Sequence, residues 1–429
     1  MEAAMRDDER VIILGGGITA LSLAYHAQIP VTIYEGSDRP GGLCRTLKVG
    51  GYLLDLGVHT LFTSIPYVAN LYGELLNGRL NSENSVARIY YRGDYVDFPF
   101  QANLWQVPAA DRDSFLRDLR RERQNPRTVR TYEDWLVASF GEAMAEGFML
   151  PYNRKKYGTD LKTLDAAPFA SKNPVPPLDE IEAGARAPST KTYGHNPRWQ
   201  YPREGGFQTL VDAFVKRIRG RTSLECCRRA LRLVPRLKEV VFSDGSRARY
   251  NLLISTLPLD QLVAMTEGLS TEISCAANVL TKNEVRIFSF GVSGEPKSLF
   301  HWAYYAQPDI PFLRLSIPSL FAEDIAPVGY HLIQAEVTEP AAGIPEVEDA
   351  LLSVGAIRSR DRIVFRHIIP IPYAYPHQTL GTDAVVQTIL SVLETLGIHS
   401  LGRFGTWSYL DADRCILQGR DFAQAFLQA

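Results

Sequence analysis

The hydrophobic and polar positions of the chain divide it into three kinds of segment. Short apolar, β-branched runs bounded by glycine come first. Val11-Ile12-Ile13-Leu14 is too brief for a helix and reads as a buried parallel strand. Helical composition follows from Leu21 to His26. A second run, Val31-Thr32-Ile33-Tyr34, ends in Glu35. Helical patterns come next, over Tyr67 to Leu76 and from Asp111 to Leu150. The charge run Arg117 to Arg123 there forms a solvated helix face. Between these, Arg88 to Phe98 reads as a hairpin turning at Arg92-Gly93-Asp94. Pro99 ends it, because proline cannot continue a central ladder.

From Ala166 to Pro197 the chain is rich in Pro, Ala, Ser and Lys and reads as a long crossing. A helix is expected over Gln208 to Arg217. Short strands follow around Leu231 to Leu233 and Glu239 to Phe242, then a turn at Ser243-Asp244-Gly245-Ser246 and a buried strand ending at Pro258. The third kind of segment is a series of strands: Val285 to Val292, Trp302 to Tyr305, Phe312 to Ile317, Tyr330 to Val337 and Ile363 to Ile371. Helices are expected over Val347 to Val354, Ala384 to Leu396 and Asp413 to Leu427, the last with Asp411 and Asp413 at its start as an N-cap signature. This order predicts an α/β fold. A Rossmann-like nucleotide domain is assembled from residues 9–57, 203–262 and 382–429. A mainly helical insert spans 58–180, and an antiparallel-sheet substrate domain spans 263–381.

Composition narrows the classes. A chain of 429 residues is expected to form more than one lobe. With 45% hydrophobic and 22% charged residues it has an ordinary globular composition, and a net charge of -2 argues against a general nucleic-acid binder. The five cysteines (Cys44, Cys226, Cys227, Cys275 and Cys415) show no metal-ligand spacing, so no metal site is expected and a reduced cytoplasmic setting is. The charged stretch Met1 to Arg10 does not read as a signal peptide, and no apolar run reaches the length of a membrane span. A homo-oligomer stays open.

The candidate chemistry starts between the first two strands. Gly15-Gly16-Gly17-Ile18-Thr19-Ala20 fits G-x-G-x-x-G/A. Gly15 allows the tight turn, Gly17 lets a pyrophosphate approach the backbone, and Ala20 permits close helix–strand contact. Glu35, about twenty residues beyond Gly15, suits ribose hydroxyls. The stretch Asp38 to Thr46 then resembles the second glycine pair of the amine-oxidase-like flavoproteins, with Gly41-Gly42-Leu43 along the diphosphate and Arg45 adding fixed positive charge. That resemblance favours FAD over NAD. Asp55 to Phe62 carries His59, which on chemistry alone reads equally well as a satisfied loop histidine. The basic cluster Arg154-Lys155-Lys156 reads equally as phosphate contact or as surface.

The order of the later motifs resembles the UDP-galactopyranose mutases, mostly the eukaryotic type. The likeness runs thinly from Ile12 to Gly419. It rests on Asp55 to Phe62 with His59, on Phe98-Pro99-Phe100-Gln101 and Pro151-Tyr152-Asn153, on Trp302-Ala303-Tyr304 with Pro311 to Arg314, on Ala374-Tyr375-Pro376, and most strongly on Gly402 to Asp411. The resemblance implies an isomerase with FAD in its reduced, active form and NADPH or NADH as reductant. It would interconvert pyranose and furanose forms of a nucleotide sugar through a covalent adduct at flavin N5. It implies catalytic roles for His59, Arg314, Arg403, Tyr409 and Asp411. Phe98, Phe100, Gln101, Tyr152, Asn153, Arg198, Gln200, Tyr304, Arg314, Tyr375 and Tyr409 would meet the substrate. Gly15, Gly17, Ile18, Thr19, Glu35, Gly42, Leu43, Arg45, His59, Gly402, Arg403 and Asp411 would meet the cofactor.

The sequence also departs from that family. Val58 replaces a glycine, Phe98 a tyrosine, and Gln200 stands where the family has a mobile arginine, with Arg198 and Arg203 nearby. An amine-oxidase-like or protoporphyrinogen-oxidase-like oxidoreductase is the alternative, since it shares the glycine motifs.

Overall fold

The computed structural model describes residues 10–170, 173–189, 191, 193 and 198–428. The charged stretch before Arg10 and parts of the expected crossing lie outside the described residues.

The first apolar run forms the centre of a five-stranded parallel sheet. Its order is Ile398–Ser400, Leu252–Ser255, Val11–Leu14, Val31–Tyr34 and Thr222–Glu225. All four residues of Val11–Leu14 are buried, as a strand covered on both faces requires. Gly15, at φ +88, turns the chain out of the strand into the helix Ile18–His26. That helix packs on the C-terminal helix Ala412–Phe426. The approach needs a glycine: a Cβ on Gly419 would sit 2.5 Å from the Thr19 carbonyl oxygen. Ser22 Oγ donates to the Ile416 carbonyl across the same contact at 2.7 Å. A three-stranded meander, Ala230–Val234, Glu239–Phe242 and Arg247–Arg249, flanks this sheet.

The second sheet has seven strands, in the order Ile363–Pro376, Lys282–Ser293, Tyr330–Val337, Phe312–Ser316, Trp302–Tyr305, Ala87–Tyr91 and Asp94–Asp97. The hairpin turning at Arg92-Gly93-Asp94 is present, but its place differs from expectation. It extends the second sheet, and Ala87–Tyr91 pairs in parallel with Trp302–Tyr305, so the sheet is mixed. The alternating apolar residues Ile89, Tyr91 and Val96 are buried there. Sequence distance hid this pairing, because it joins residues more than two hundred positions apart.

The helical lobe contains Ala109–Gln124, Tyr132–Phe140 and Leu150–Tyr157, with a π-helical turn at Ala145–Met149. Thr131 and Asp134 form a capping box that starts Tyr132–Phe140. The crossing holds two short helices, Ala167–Ala170 and Leu178–Gly184. At the start of the last helix Asp411 occupies the N-cap position, but its carboxylate makes no capping hydrogen bond. Among the described residues no helix is long and apolar enough to cross a membrane.

Candidate active site

The parallel sheet, the second sheet and the helical lobe enclose one large cavity of about 1540 Å³. One end is built from backbone. Gly41 N–H donates to the Gly16 carbonyl at 2.8 Å, and Gly17 bridges Gly41. Glu35 fixes this junction by accepting from Gly16 N–H and from Ser37 N–H, each at 2.7 Å. Gly17, Ile18, Thr19, Gly42, Leu43, Arg45 and Gly402 face the cavity. Gly15 and Glu35 do not line it: Gly15 makes the turn, and Glu35 holds the loop.

Two observations show that this end fits a dinucleotide. A Cβ built on Gly17 would meet no protein atom within 4 Å, so its glycine is not required by the protein's own packing. The bare backbone at the start of a helix is what a pyrophosphate approaches. Nearby, buried Nε and Nη2 of Arg403 and buried Nδ1 of His59 have no hydrogen-bond partner in the protein. Buried polar groups are rarely left so unless a ligand completes them.

The other wall is built from side chains. Arg314 on Phe312–Ser316 lies opposite Glu336 on Tyr330–Val337 and opposite Tyr304 on Trp302–Tyr305. The Arg314 guanidinium donates to Glu336 Oε1 from Nε at 3.0 Å and from Nη2 at 2.6 Å. The same oxygen accepts from Val58 N–H at 3.3 Å, which ties the loop carrying His59 to the second sheet. Burial opposes the charge on Arg314, but Glu336 and the surrounding phenols hold its pKa well above the ordinary arginine value.

Tyrosines frame this wall. Tyr152 and Tyr304 meet edge to face at 5.4 Å, Tyr375 and Tyr409 at 5.5 Å, and Phe98 lies 5.9 Å from Tyr304. The Arg403 guanidinium sits 4.4 Å from the Tyr409 ring centroid and 5.4 Å from that of Tyr375. Burial raises the pKa of Tyr152, Tyr304 and Tyr375, so these phenols stay protonated donors at neutral pH. His59, against Phe207 at 5.1 Å, is lowered to about 4 by burial, with Glu336 opposing, and is neutral there.

Other expected residues reach the cavity with their polar groups already engaged. Gln101 Nε2 donates to the Pro174 carbonyl at 2.5 Å. Asn153 accepts from the Tyr132 hydroxyl and donates to the Met149 carbonyl. Phe100 is packed in the core of the helical lobe, 5.1 Å from Phe148. Asp411 lines the cavity at its exposed end.

Arg198 and Gln200 are not brought to the cavity. They lie on Arg198–Pro202, which pairs with Leu80–Asn84. Gln200 exchanges backbone hydrogen bonds with Leu61, and Arg198 donates to Ser82 Oγ. Arg203 is exposed and also outside. The strand pairing fixes this segment against the Leu61 loop, so none of these residues supplies a cation to the wall.

Glu336 is absent from the sequence reading, and Lys156 enters it only as part of a basic cluster with two equal readings. Glu336 was legible as the one acid in the apolar run Leu332 to Val337, because unpaired acids are rarely buried. Lys156 was legible by spacing, being four residues beyond Tyr152 on one helix and so on its face.

Comparison with known proteins agrees with this geometry. The model of the family described as flavin containing amine oxidoreductase matches residues 16–278. Coproporphyrinogen III oxidase of Mycobacterium tuberculosis is 24% identical over 311 residues, covering 66% of this chain and 66% of that protein. The match thus spans slightly less than two thirds of that relative's length. Among solved structures, reduced UDP-galactopyranose mutase superposes with a TM-score of 0.91 at 24% identity, covering 98% of this chain and 94% of that one. A putative protoporphyrinogen oxidase from Exiguobacterium sp. 255-15 superposes with a TM-score of 0.76 at 14% identity, covering 98% and 99%. At these identities the structures show a shared fold. The family match covers the glycine cradle and more than half of the chain, and the protein belongs to the flavin containing amine oxidoreductases.

Proposed function

We propose that the protein is a flavin-dependent nucleotide-sugar mutase, interconverting pyranose and furanose forms of a UDP-galactose-like sugar or a related nucleoside-diphosphate sugar. The observation that carries this reading is the wall itself. Arg314, Arg403 and the phenols of Tyr152, Tyr304, Tyr375 and Tyr409 converge on one cavity continuous with the glycine cradle. Residues 9–57, 203–262 and 382–429 form the FAD-binding part in this reading, and the second sheet with the helical lobe forms the substrate part. NADPH or NADH is the reductant and the cytoplasm the setting.

FAD bound at Gly17, Gly42 and Arg403 would, when reduced, supply a nucleophilic centre for covalent catalysis at an anomeric carbon. The chain's own residues do the rest. A departing diphosphate needs positive charge, which Arg314 and Arg403 provide. It needs donors that add no negative charge, and protonated tyrosines meet that need. Neutral His59 offers a nitrogen toward the cofactor end without introducing a second cation. Glu336 orients Arg314 and, through Val58 N–H, the His59 loop.

The test is incubation of dithionite-reduced and of oxidised protein with a panel of UDP-, GDP- and dTDP-sugars, read by chromatography. Ring interconversion by the reduced form alone is expected. The rival reading, an oxidase of the coproporphyrinogen or protoporphyrinogen kind, is favoured by the relative matched over 311 residues. Peroxide release with a porphyrinogen, and no turnover of any sugar nucleotide, would decide for it.

A further inference from the structure

The helix Leu150–Tyr157 carries two adjacent lysines with different surroundings. Lys155 Nζ is engaged by the protein, donating to the Gln307 carbonyl at 2.5 Å and the Ile310 carbonyl at 2.8 Å. Lys156 faces the cavity. Its ammonium lies 4.9 Å from the Tyr157 ring centroid, 5.1 Å from that of Tyr375 and 5.2 Å from that of Tyr409. Aromatic faces attract a cation but do not neutralise it.

Charge balance makes this lysine distinctive. Arg314 is paired with Glu336. Among the described residues no carboxylate lies within ion-pair distance of Lys156 or of Arg403. Both cations are partly buried in the cavity wall, and a partly desolvated cation without a counter-charge is stabilised when an anion joins it. Burial lowers the lysine's pKa. The Tyr409 phenol opposes that, while Arg314 and Arg403 add to it. A diphosphate diester carries one negative charge on each phosphorus and so can compensate a cation such as Lys156.

We propose that Lys156 is a binding cation for the diphosphate of a nucleoside-diphosphate ligand, acting beside Arg314 and Arg403. It supplies the charge that Arg198, Gln200 and Arg203 do not bring to the cavity. The inference rests on the nucleotide-sugar reading and narrows it. Recognition is of the anionic linkage, so the ligand must be a nucleoside diphosphate and not a neutral nucleoside.

The test uses the FAD-loaded protein, with UDP and uridine as probes in equilibrium titrations of the parent, Lys156→Met and Lys156→Arg. Lys156→Met should weaken UDP binding tenfold or more, as removal of a desolvated charge contact does. Lys156→Arg should stay within about threefold, and any uridine affinity should be the same in all three proteins. Unchanged flavin absorbance shows that the fold is retained. If Lys156→Met binds UDP as tightly as the parent, the lysine belongs to the aromatic packing and the inference fails alone. If the parent binds no UDP, the nucleotide-sugar reading fails with it. Should Lys156→Met lose its flavin, Lys156→Arg decides: a tenfold loss of UDP affinity there, with flavin kept, also overturns the proposal.

Discussion

The two ends of the cavity are built by different means. The glycine cradle presents bare backbone at a helix start, and the Glu35 carboxylate beside it is turned onto the loop. The far wall uses side chains from five separate segments, carried by Tyr152, Tyr304, Arg314, Tyr375 and Arg403 with Tyr409. The first end is built mostly from residues 15–45, with Gly402 brought beside them. The second exists only when both sheets and the helical lobe are assembled. Damage to the cradle should therefore be local, while damage to the wall should reach both stability and chemistry.

The largest expected effect tests the wall. Arg314→Ala leaves Glu336 buried without its partner, and breaking such a pair costs about 3–5 kcal/mol. Denaturant unfolding should show that loss, and turnover should vanish. The double variant Arg314→Met with Glu336→Gln should recover most of the stability and none of the turnover. An Arg314→Ala protein as stable as the parent would mean that Glu336 finds another partner and that the wall is not one unit.

The cradle should behave oppositely. Gly17 has φ -72, open to any residue, and a Cβ there meets no protein atom within 4 Å. Gly17→Val should keep the thermal stability of the flavin-free protein and lose about a hundredfold in FAD affinity, roughly 2.7 kcal/mol. Flavin fluorescence titration reads the affinity and calorimetry the stability. Full flavin retention would place the diphosphate elsewhere.

This contrast also explains what the sequence disclosed. The cradle could be read because strand, glycines, helix and acid occupy residues 11–35 in register, and each residue type has a local cause. The strands of the second sheet were equally legible from their β-branched runs. The partners of those strands were not. Nothing local says that Ala87–Tyr91 lies beside Trp302–Tyr305 or that Arg314 meets Glu336 across a ladder. Gln200 and Arg198 were drawn toward the site by sequence position, and strand pairing with Leu80–Asn84 holds them away. The basic cluster Arg154-Lys155-Lys156 reads equally as phosphate contact or as surface, and only the tyrosine faces single out Lys156 within it.

A smaller effect tests the joint between the two ends. His59 titrates near 4 where an ordinary histidine titrates at 6.5. A lowered histidine pKa means that the unfolded chain binds the proton more readily. The stabilising contribution of neutral His59 is therefore present above pH 6.5 and is lost as pH falls toward 4. At pH 5 the loss is about 2 kcal/mol relative to pH 8. In His59→Gln that share of the pH dependence should be missing from urea unfolding. His301, also lowered to about 4 by burial, keeps part of it. An identical pH slope in the two proteins would show that the His59 loop opens to water before it titrates.

The smallest expected effect separates a phenol from its ring. The Tyr375 ring contacts the Lys156 ammonium, the Arg403 guanidinium and the Tyr409 ring. Phenylalanine preserves all three contacts, so Tyr375→Phe should leave thermal stability unchanged. What it removes is one hydroxyl donor, kept protonated by burial. A net hydrogen bond to a charged acceptor contributes about 1.5 kcal/mol, so UDP affinity should fall roughly tenfold. Lys156→Met shortens the charge and Tyr375→Phe the hydrogen bond of the same wall. If both act on one diphosphate, the double variant should fall short of the product of the two single losses, because neighbouring contacts to one group do not add. Strict multiplication would instead mean that the phenol and the ammonium meet different parts of the ligand.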